Sequence, residues 1–362
     1  MNKRFYLFIL FCFAAVLTSL FSCKKDSNNP ESETEDPGFE EYAGTEVFIA
    51  GDLKTHIPVL WKNGKPKLIL DNGNSGMAHH IMGYGNDLYI AGMTQEFTDA
   101  NPSNFRSAMY WKNEEKVIID KVNDTELKQI HRADNGDIYV YGYRYGVDPT
   151  WDTIWKNGEI YKLEPAGIRW TISNMLTIGN DFYVAGNIQE KGSSHAVVWK
   201  NGKIFKHYPN KSSIEIGTNG TDLFNYVYFT EDPQTKTKSY KVYKNSSLFY
   251  SINLTDTEWK FASNRVIFQE GDNSYVAWAI SSKNITGLND VRVWKNGKPL
   301  DIKIKDVFIP TALFVKGNDV YLATLKEDEA FDLKPELFKN NQLMPMDFGG
   351  NNRARFNSIY VK

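Results

Sequence analysis

Five pairs of polar residues recur along this chain where strands are expected to begin, and their types could do chemistry. The pairs are His79-His80, Lys128-Gln129, Ser173-Asn174, Asn264-Arg265 and Asn357-Ser358. Adjacent residues of a strand point to opposite faces, so at most one of the two histidines can face a shared site. We therefore predict a polar ligand site that includes His80, Gln129, Asn174 and Arg265, with no metal and no cofactor.

No catalytic motif accompanies these residues. The chain has no His-Glu-x-x-His zinc motif, no Gly-x-Ser-x-Gly elbow and no Gly-x-x-x-x-Gly-Lys phosphate loop. Most glycosidases use paired carboxylates, but the acidic residues nearest the polar pairs are predicted to be solvated loop charges: Asp124, Glu126, Asp256 and Glu258. The sequence does not favour an enzyme, and a glycoside hydrolase or polysaccharide lyase stays open as an alternative.

Large aromatic and basic side chains are concentrated in the irregular segments between apolar runs. Such residues are enriched where proteins are recognised, and aromatic faces also suit sugar rings. The candidate ligand-binding residues of this kind are Phe97, Phe105, Tyr143, Tyr145, Trp151, Trp170, Trp259 and Arg353. For any one of them, packing over the base of its own loop is the simpler explanation, but as a set they favour recognition.

The elements that position these residues repeat seven times. An aromatic residue followed by Lys-Asn recurs at steps of 44 to 51 residues, at Trp61, Trp111, Trp155, Trp199, Tyr243, Trp294 and Phe338. Most copies continue with Gly, and Asn-Gly tolerates the positive φ of a tight hairpin. A period in the mid-forties built of short strands is typical of a β-propeller. The sequence predicts an all-β, seven-bladed propeller with four-stranded blades, in which the aromatic residue packs one blade on the next.

The two ends of the chain are predicted to close this ring. The first repeat begins with its second strand at Glu46, and the run from Phe356 to Lys362 resembles the missing first strand. Pairing the two would hide edges that an open sheet leaves exposed. The tight turns would then lie on one face and the long loops on the other, where binding residues usually sit.

The N-terminal segment is predicted to be a signal rather than part of the fold. In residues 1–22, Lys3 and Arg4 precede a mostly apolar stretch that ends at Ser22, directly before Cys23. This resembles the lipobox of bacterial lipoproteins, in which the cysteine after the cleavage site carries lipid. A plain secretory signal and an uncleaved membrane helix are the alternatives. Residues 23–44 are predicted to be a disordered acidic tether, and residues 45–362 the propeller.

The Lys-Lys-Asp run after Cys23, the acidic tether and the Trp-Lys-Asn-Gly repeats resemble lipoproteins of the Bacteroidetes group. The resemblance covers nearly the whole chain. It implies lipid attachment to the outer membrane of a bacterial envelope, facing the periplasm or the cell surface, and supplies no catalytic residues. Loss of Lys3 and Arg4 would take the formal net charge from −2 to −4, and without a basic stripe we expect no nucleic-acid partner.

These observations favour a monomeric, membrane-anchored binding or interaction module that uses its loop-rich face for a glycan or a protein. A propeller enzyme is the first alternative. A structural component of an envelope complex is the second.

Overall fold

The structure is a computed structural model that describes residues 39–53, 56–70, 75–95, 106–120, 124–146, 152–166, 168–190, 192–209, 213–229, 239–253, 259–282, 289–327, 333–351 and 353–362. Within these ranges the chain forms seven four-stranded antiparallel sheets. The innermost strands of successive sheets contact one another around a closed circuit. The predicted seven-bladed β-propeller is confirmed.

Blades one to four follow the repeats of the sequence. Blade one consists of Val47–Leu53 (β1), Ile57–Lys62 (β2), Lys65–Ile69 (β3) and the last strand of the chain. Blade two consists of Ser75–Tyr84 (β4), Asp87–Gln95 (β5), Arg106–Lys112 (β6) and Glu115–Asp120 (β7). Blade three consists of Thr125–Arg132 (β8), Ile138–Arg144 (β9), Asp152–Lys156 (β10) and Glu159–Tyr161 (β11). Blade four consists of Trp170–Ile178 (β12), Asp181–Glu190 (β13), Ser193–Lys200 (β14) and Lys203–Tyr208 (β15).

Blades five to seven repeat the pattern. Blade five consists of Ser213–Thr218 (β16), Leu223–Phe229 (β17), Ser239–Lys244 (β18) and Ser247–Asn253 (β19). Blade six consists of Trp259–Glu270 (β20), Asn273–Ser282 (β21), Asn289–Lys295 (β22) and Lys298–Val307 (β23). Blade seven consists of Ile309–Lys316 (β24), Asp319–Glu327 (β25), Leu333–Lys339 (β26) and Gln342–Met344 (β27). Ala354–Val361 (β28) completes blade one. The described part of the chain contains no helix with the length and apolar character needed to cross a bilayer.

The Asn of each Lys-Asn turn joins the hairpin to the second strand of its own blade. All seven have φ between 46° and 57°, a left-handed conformation that Asn adopts more readily than most residues. Each Asn side-chain oxygen accepts a bond of 2.8–3.1 Å from a backbone N–H at the start of strand two. The Asn backbone N–H donates to the carbonyl of that same residue. These paired bonds explain why Asn recurs in every repeat.

The Lys of the same turn is held by an acidic residue at or just before the start of strand two. In six repeats its Nζ lies 2.6–3.1 Å from a carboxylate oxygen of Glu46, Asp87, Asp137, Asp181, Asp222 or Asp319. In blade six Asn273 occupies that place, and Lys295 lies over the Tyr275 ring. Six of the seven turn lysines are therefore paired with a carboxylate of their own blade, and Lys244 also binds Asp272 of blade six at 2.8 Å.

The recurring aromatic residue packs between blades, as the sequence predicts. Trp61, Trp111, Trp155 and Trp199 are at most 2% exposed, and Trp294 and Phe338 are at most 9% exposed. The Trp61 indole N–H donates to the Asp347 carbonyl oxygen at 2.9 Å. The large aromatic surface buried at these seams stabilises the ring.

The described end of the predicted tether is packed rather than free. Residues 40–42 form a 3-10 helix, and Tyr42 is 2% exposed within the cluster that contains Trp61 and Tyr321. Its hydroxyl donates to the Pro345 carbonyl oxygen at 3.0 Å. A buried aromatic residue outweighs the acidic composition that suggested disorder at this end of the tether, so the packed part of the described chain includes Tyr42.

Candidate functional site

A β-bulge places one extra residue on five of the seven inner strands, and β20 carries a larger irregularity, all within the described ranges. The register shifts between strands one and two leave out Asn357, His79, Lys128, Ser173, Thr311 and residues 262–264, and β16 has no such shift. Bulges bend a strand and re-aim its side chains, and they are frequent beside functional sites. They lie in the first half of the inner strands, towards the end of each blade at which strand one begins.

Glycines in strand two make room for four of these bulges. A Cβ at Gly51, Gly92, Gly142 or Gly186 would overlap the backbone carbonyl oxygen of Arg355, Met77, Glu126 or Thr171, respectively. Each of these carbonyls belongs to the residue two positions before a bulged residue. Close approach of two backbones is a common reason for glycine inside a strand. This recurring glycine was the sequence signal for the bulges, and reasoning from the sequence missed it.

Three of the predicted ligand-binding residues join neighbouring blades. His80 Nδ1 accepts a bond from the Ile130 backbone N–H at 3.5 Å, and Gln129 Oε1 accepts one from Met175 at 3.0 Å. Asn174 binds both backbone groups of Ile216, at 2.7 and 2.9 Å. The residue before each of these is the one that the bulge leaves out of the ladder, and in blades two and three it is His79 and Lys128, whose side chains contact each other.

The first part of the site is a charged network on blades two and three. Lys128 Nζ lies 2.8 Å from Glu126 Oε1 and 3.3 Å from His79 Nε2. His79 Nε2 lies 3.9 Å from Glu126 Oε2. Since an ammonium group can only donate, His79 Nε2 accepts and its proton is on Nδ1. We call His79, Glu126 and Lys128 the charged cluster.

Loop residues extend the charged cluster outwards. Arg106 binds Asp124 through Nε and Nη2, each at 2.8 Å, and its guanidinium carbon lies 4.0 Å from the centroid of the Tyr145 ring. The Tyr145 hydroxyl donates to Glu126 Oε1 at 3.0 Å, and Lys128 Nζ lies 5.4 Å from the Tyr143 ring centroid. Tyr143 and Tyr145, both predicted ligand residues, thus contact the charged cluster.

The prediction that Asp124 and Glu126 are solvated loop charges is wrong. Glu126 is only 5% exposed, and Asp124 is held by the Arg106 guanidinium fork. Burial opposes ionisation of Glu126, but Lys128, His79 and Tyr145 outweigh it, so the pKa of Glu126 is lowered. Sequence reasoning missed this because the burial of Glu126 and the pairing of Asp124 with Arg106 both depend on contacts between strands.

Burial favours the neutral form of two neighbouring groups, His79 and Asp52. Burial, with the Lys128 charge, lowers the pKa of His79 to about 4, so this imidazole is neutral at pH 7. Burial raises the pKa of Asp52 despite Arg355 and a hydrogen bond from Asn357. Asn357 Nδ2 also donates to the Ala78 carbonyl oxygen at 2.9 Å, which links blade one to the residue before His79. Within the described residues, no three His, Cys, Asp or Glu side chains are placed to hold a metal ion.

The second part of the site is a cleft on blades four to seven. It encloses about 380 Å³ and is lined by Ser173, Ser213, Glu215, Asn264, Arg265, Val266, Ile309, Pro310 and Thr311. Arg265, one of the predicted ligand residues, binds Glu215 Oε2 and Ser213 Oγ through Nη2, each at 2.9 Å. Its carbon Cζ lies 5.2 Å from the Tyr240 ring centroid and 5.7 Å from that of Trp278.

Of the remaining predicted residues, the structure describes the side chains of two, Trp170 and Arg353. Trp170 is half-buried, packs against the core of blades three and four and lines a shallow cleft with Arg169, Asn187 and Gln189. Arg353 is exposed just before β28. Phe97, Phe105, Trp151 and Cys23 lie outside the described residues, and only the backbone of Trp259 is described.

Two buried histidines, one on blade two and one on blade three, should make the stability of the fold sensitive to acid. The rings of His80 and His131 are 5.4 Å apart, and burial lowers their pKa values to about 4 and about 3. An unfolded histidine takes up a proton near pH 6.5. Their contribution to stability is therefore complete above pH 6.5 and is lost as the pH falls towards 4, by about 3 kcal/mol for His80.

The melting temperature should accordingly fall between pH 7 and pH 4.5, and less so in His80→Gln. Glutamine is a conservative replacement because Gln129 makes the equivalent bond in the next blade. His207→Gln, at an exposed position of β15, is the control that should keep the full pH dependence. Identical pH profiles for His80→Gln and the parent would contradict this assignment.

Comparisons with known proteins identify no family for this chain. No family model matches it, and no curated protein matches its sequence. Similar solved structures include an acylaminoacyl peptidase from Pyrococcus horikoshii, with 9% identity and a TM-score of 0.49 over 76% of this chain and 46% of the peptidase. This chain spans about half of that peptidase.

Two further solved structures resemble this chain. The β-propeller domain of the trilobed protease from Pyrococcus furiosus has 10% identity and a TM-score of 0.47, over 76% of this chain and 85% of that domain. A dihydro-heme d1 dehydrogenase has 13% identity and a TM-score of 0.44, over 84% of this chain and 64% of that protein. Likeness at this level assigns no activity.

Proposed function

We propose that this protein is a membrane-anchored binding protein that holds a glycan on its loop-rich face. The glycan would lie where the bulged inner strands surround the centre of the ring, a region that we call the mouth and that includes His79, Glu126 and Lys128. The observation that carries the proposal is a contrast between two sets of positions in the repeat. Side chains that build the fold recur from blade to blade, as the turn Asn does in all seven. Five blades have a bulge at the equivalent position of the inner strand, but the residue at that position differs from blade to blade. It is His79, Lys128, Ser173, Thr311 or Asn357.

This variation supports a task other than folding. Packing would favour one solution at equivalent positions of a repeat, as it does for the recurring aromatic residue. A set of different polar side chains around one opening suits a ligand that lacks the symmetry of the ring. The mouth also offers the faces of Tyr143 and Tyr145 beside charged groups, and aromatic residues with a few placed polar groups are usual in ligand sites.

The binding test compares matched lysine variants of the purified protein on a glycan array. Lys128→Gln removes a charge from the mouth, whereas Lys203→Gln removes an exposed one on β15. Because hydrogen bonds to charged groups contribute about 1.5–3 kcal/mol, Lys128→Gln should weaken binding at least about tenfold, and Lys203→Gln should not change it. An array that is silent for the parent protein, or equal losses in both variants, would refute binding at the mouth.

For the membrane attachment we propose a lipid on Cys23, which the Ser22-Cys23 junction after an apolar stretch supports. A lipid chain together with the tether would hold the propeller at the outer membrane of a bacterial envelope. The Cys23→Ala variant should not incorporate a lipid analogue and should appear in the soluble fraction. Membrane association that survives this change would instead favour an uncleaved helix.

One observation favours a glycan-cleaving enzyme as the second candidate. Asp52 and Glu126 are both buried, the charge of Lys128 acts on both, and their environments shift the two pKa values in opposite directions, which is how acid and base roles are separated in glycosidases. Glycans recovered after incubation distinguish the two candidates. Shortened products that disappear in Glu126→Gln would establish catalysis, and intact glycans would support binding alone.

A further inference from the structure

We infer that the cleft on blades four to seven is a subsite for a neutral sugar ring, an inference that rests on the proposed glycan binding and names its ligand class. The cleft lies on the inner strands β12, β16, β20 and β24, whereas the charged cluster lies on β4 and β8. Its volume of about 380 Å³ falls at the lower end of the range for small-molecule sites. That size suits one or two sugar rings.

Arg265 and Glu215 form a rigid donor–acceptor pair in the wall of this cleft. The Arg265 side chain is 10% exposed and that of Glu215 is 23% exposed. The guanidinium group is fixed from two sides, by the carboxylate and Ser213 oxygens at 2.9 Å and by the rings of Tyr240 and Trp278. A pair held in this way needs little reorganisation when a ligand arrives, which favours binding.

The charges of this pair exclude charged ligands. Glu215 already neutralises Arg265, so an anion would meet a carboxylate at the same place, and a cation would meet the guanidinium group. A buried ion pair can be separated only at a large cost. A ligand whose groups both donate and accept hydrogen bonds avoids this conflict.

The rest of the lining matches hydroxyl groups. Ser173, Ser213 and Thr311 contribute hydroxyls, each able to donate and accept, and Asn264 contributes an amide. Thr311 Oγ1 is buried and has no hydrogen-bond partner among the described residues. Val266, Ile309 and Pro310 add apolar surface for the C–H face of a ring. Dense hydroxyls on an apolar ring are the defining chemistry of a neutral sugar.

The test uses sets of three related probes: a neutral hexose, its uronic acid and its amino sugar, in the gluco, galacto and manno series. Their binding to the purified protein is measured by ligand-detected NMR. In at least one series the neutral hexose should bind at least tenfold more tightly than both charged relatives. Equal affinities within every series, or no binding by any neutral hexose, would overturn the inference.

Glu215→Gln supplies the decisive comparison because it removes the negative charge and keeps the shape. Arg265 would then be uncompensated, and the uronic acid should overtake the neutral hexose by about tenfold. Glu336→Gln, a partly buried carboxylate on β26 away from the cleft, should leave the order unchanged. Ser213→Ala should weaken all three probes alike. An unchanged order in Glu215→Gln, with a melting curve that shows it folded, would refute the subsite.

Failure of the subsite is distinguishable from failure of the proposed function. If array binding depends on Lys128 but Glu215→Gln changes no preference, the mouth binds glycans and the cleft is not the neutral-sugar subsite. If the array shows no binding in the parent protein, the proposed function itself fails.

Discussion

Deleting residues 356–362 should leave a protein that aggregates, or melts far below the intact chain. These residues form most of β28, which pairs with β1 from Val47↔Val361 to Gly51↔Phe356. Phe356 is fully buried, and Ile359 and Val361 are at most 5% exposed. Each lost backbone hydrogen bond costs about 1 kcal/mol net, and with the lost packing this approaches the roughly 5–15 kcal/mol of an ordinary domain. Thermal unfolding followed by circular dichroism measures the effect.

Two point variants in β28, one at a buried and one at an exposed residue, test the same closure with a large and a small expected loss of stability. Phe356→Ala empties a buried site against Trp61, whose ring centroid is 5.3 Å away, and should cost about 3–5 kcal/mol. The neighbouring Arg355→Ala changes an exposed side chain of the same strand and should shift the melting temperature little. If the deletion protein melted at the temperature of the intact chain, β28 could not be the strand that closes the ring.

The second large effect is expected at Tyr42, at the point where the tether was predicted to be disordered. Tyr42→Ala should destabilise the protein by about 3–5 kcal/mol, as do other large-to-small changes of buried aromatic residues. The reason is its place in the core cluster with Val47, Trp61 and Tyr321. At this chain length the melting temperature should fall by about 5–10 °C.

Conservative and exposed variants separate the contributions at Tyr42. Tyr42→Phe keeps the ring and loses the bond to the Pro345 carbonyl oxygen, so it should cost only about 1 kcal/mol. Glu41→Ala, next in the chain and exposed, should have almost no effect. Were Tyr42→Ala to melt with the parent protein, residues 39–44 would behave as the free tether that their composition suggested.

The candidate site was only partly predictable because a bulge shifts the pairing of the inner strand. The alternation rule allowed at most one of His79 and His80 to face a shared site, and it favoured neither. The bulge in β4 leaves His79 out of the ladder, where it contacts Lys128, and His80 bonds with Ile130 on the next blade. Gly92, opposite this bulge, was the available signal, but a strand glycine can have several causes.

The sequence by itself determined the blade count, the closure of the ring and the aromatic seam, because these repeat. Seven copies of one turn give the period directly, and the aromatic residue of six copies, for example Trp61 or Trp199, is buried. Only the tertiary structure decided which side chains meet at the mouth. The partners there come from different blades, as Arg106 and Asp124 or Arg265 and Glu215 do. The type of a charged residue does not show whether its charge will be paired or solvated. Its burial and its distance from groups on other strands distinguish the two cases.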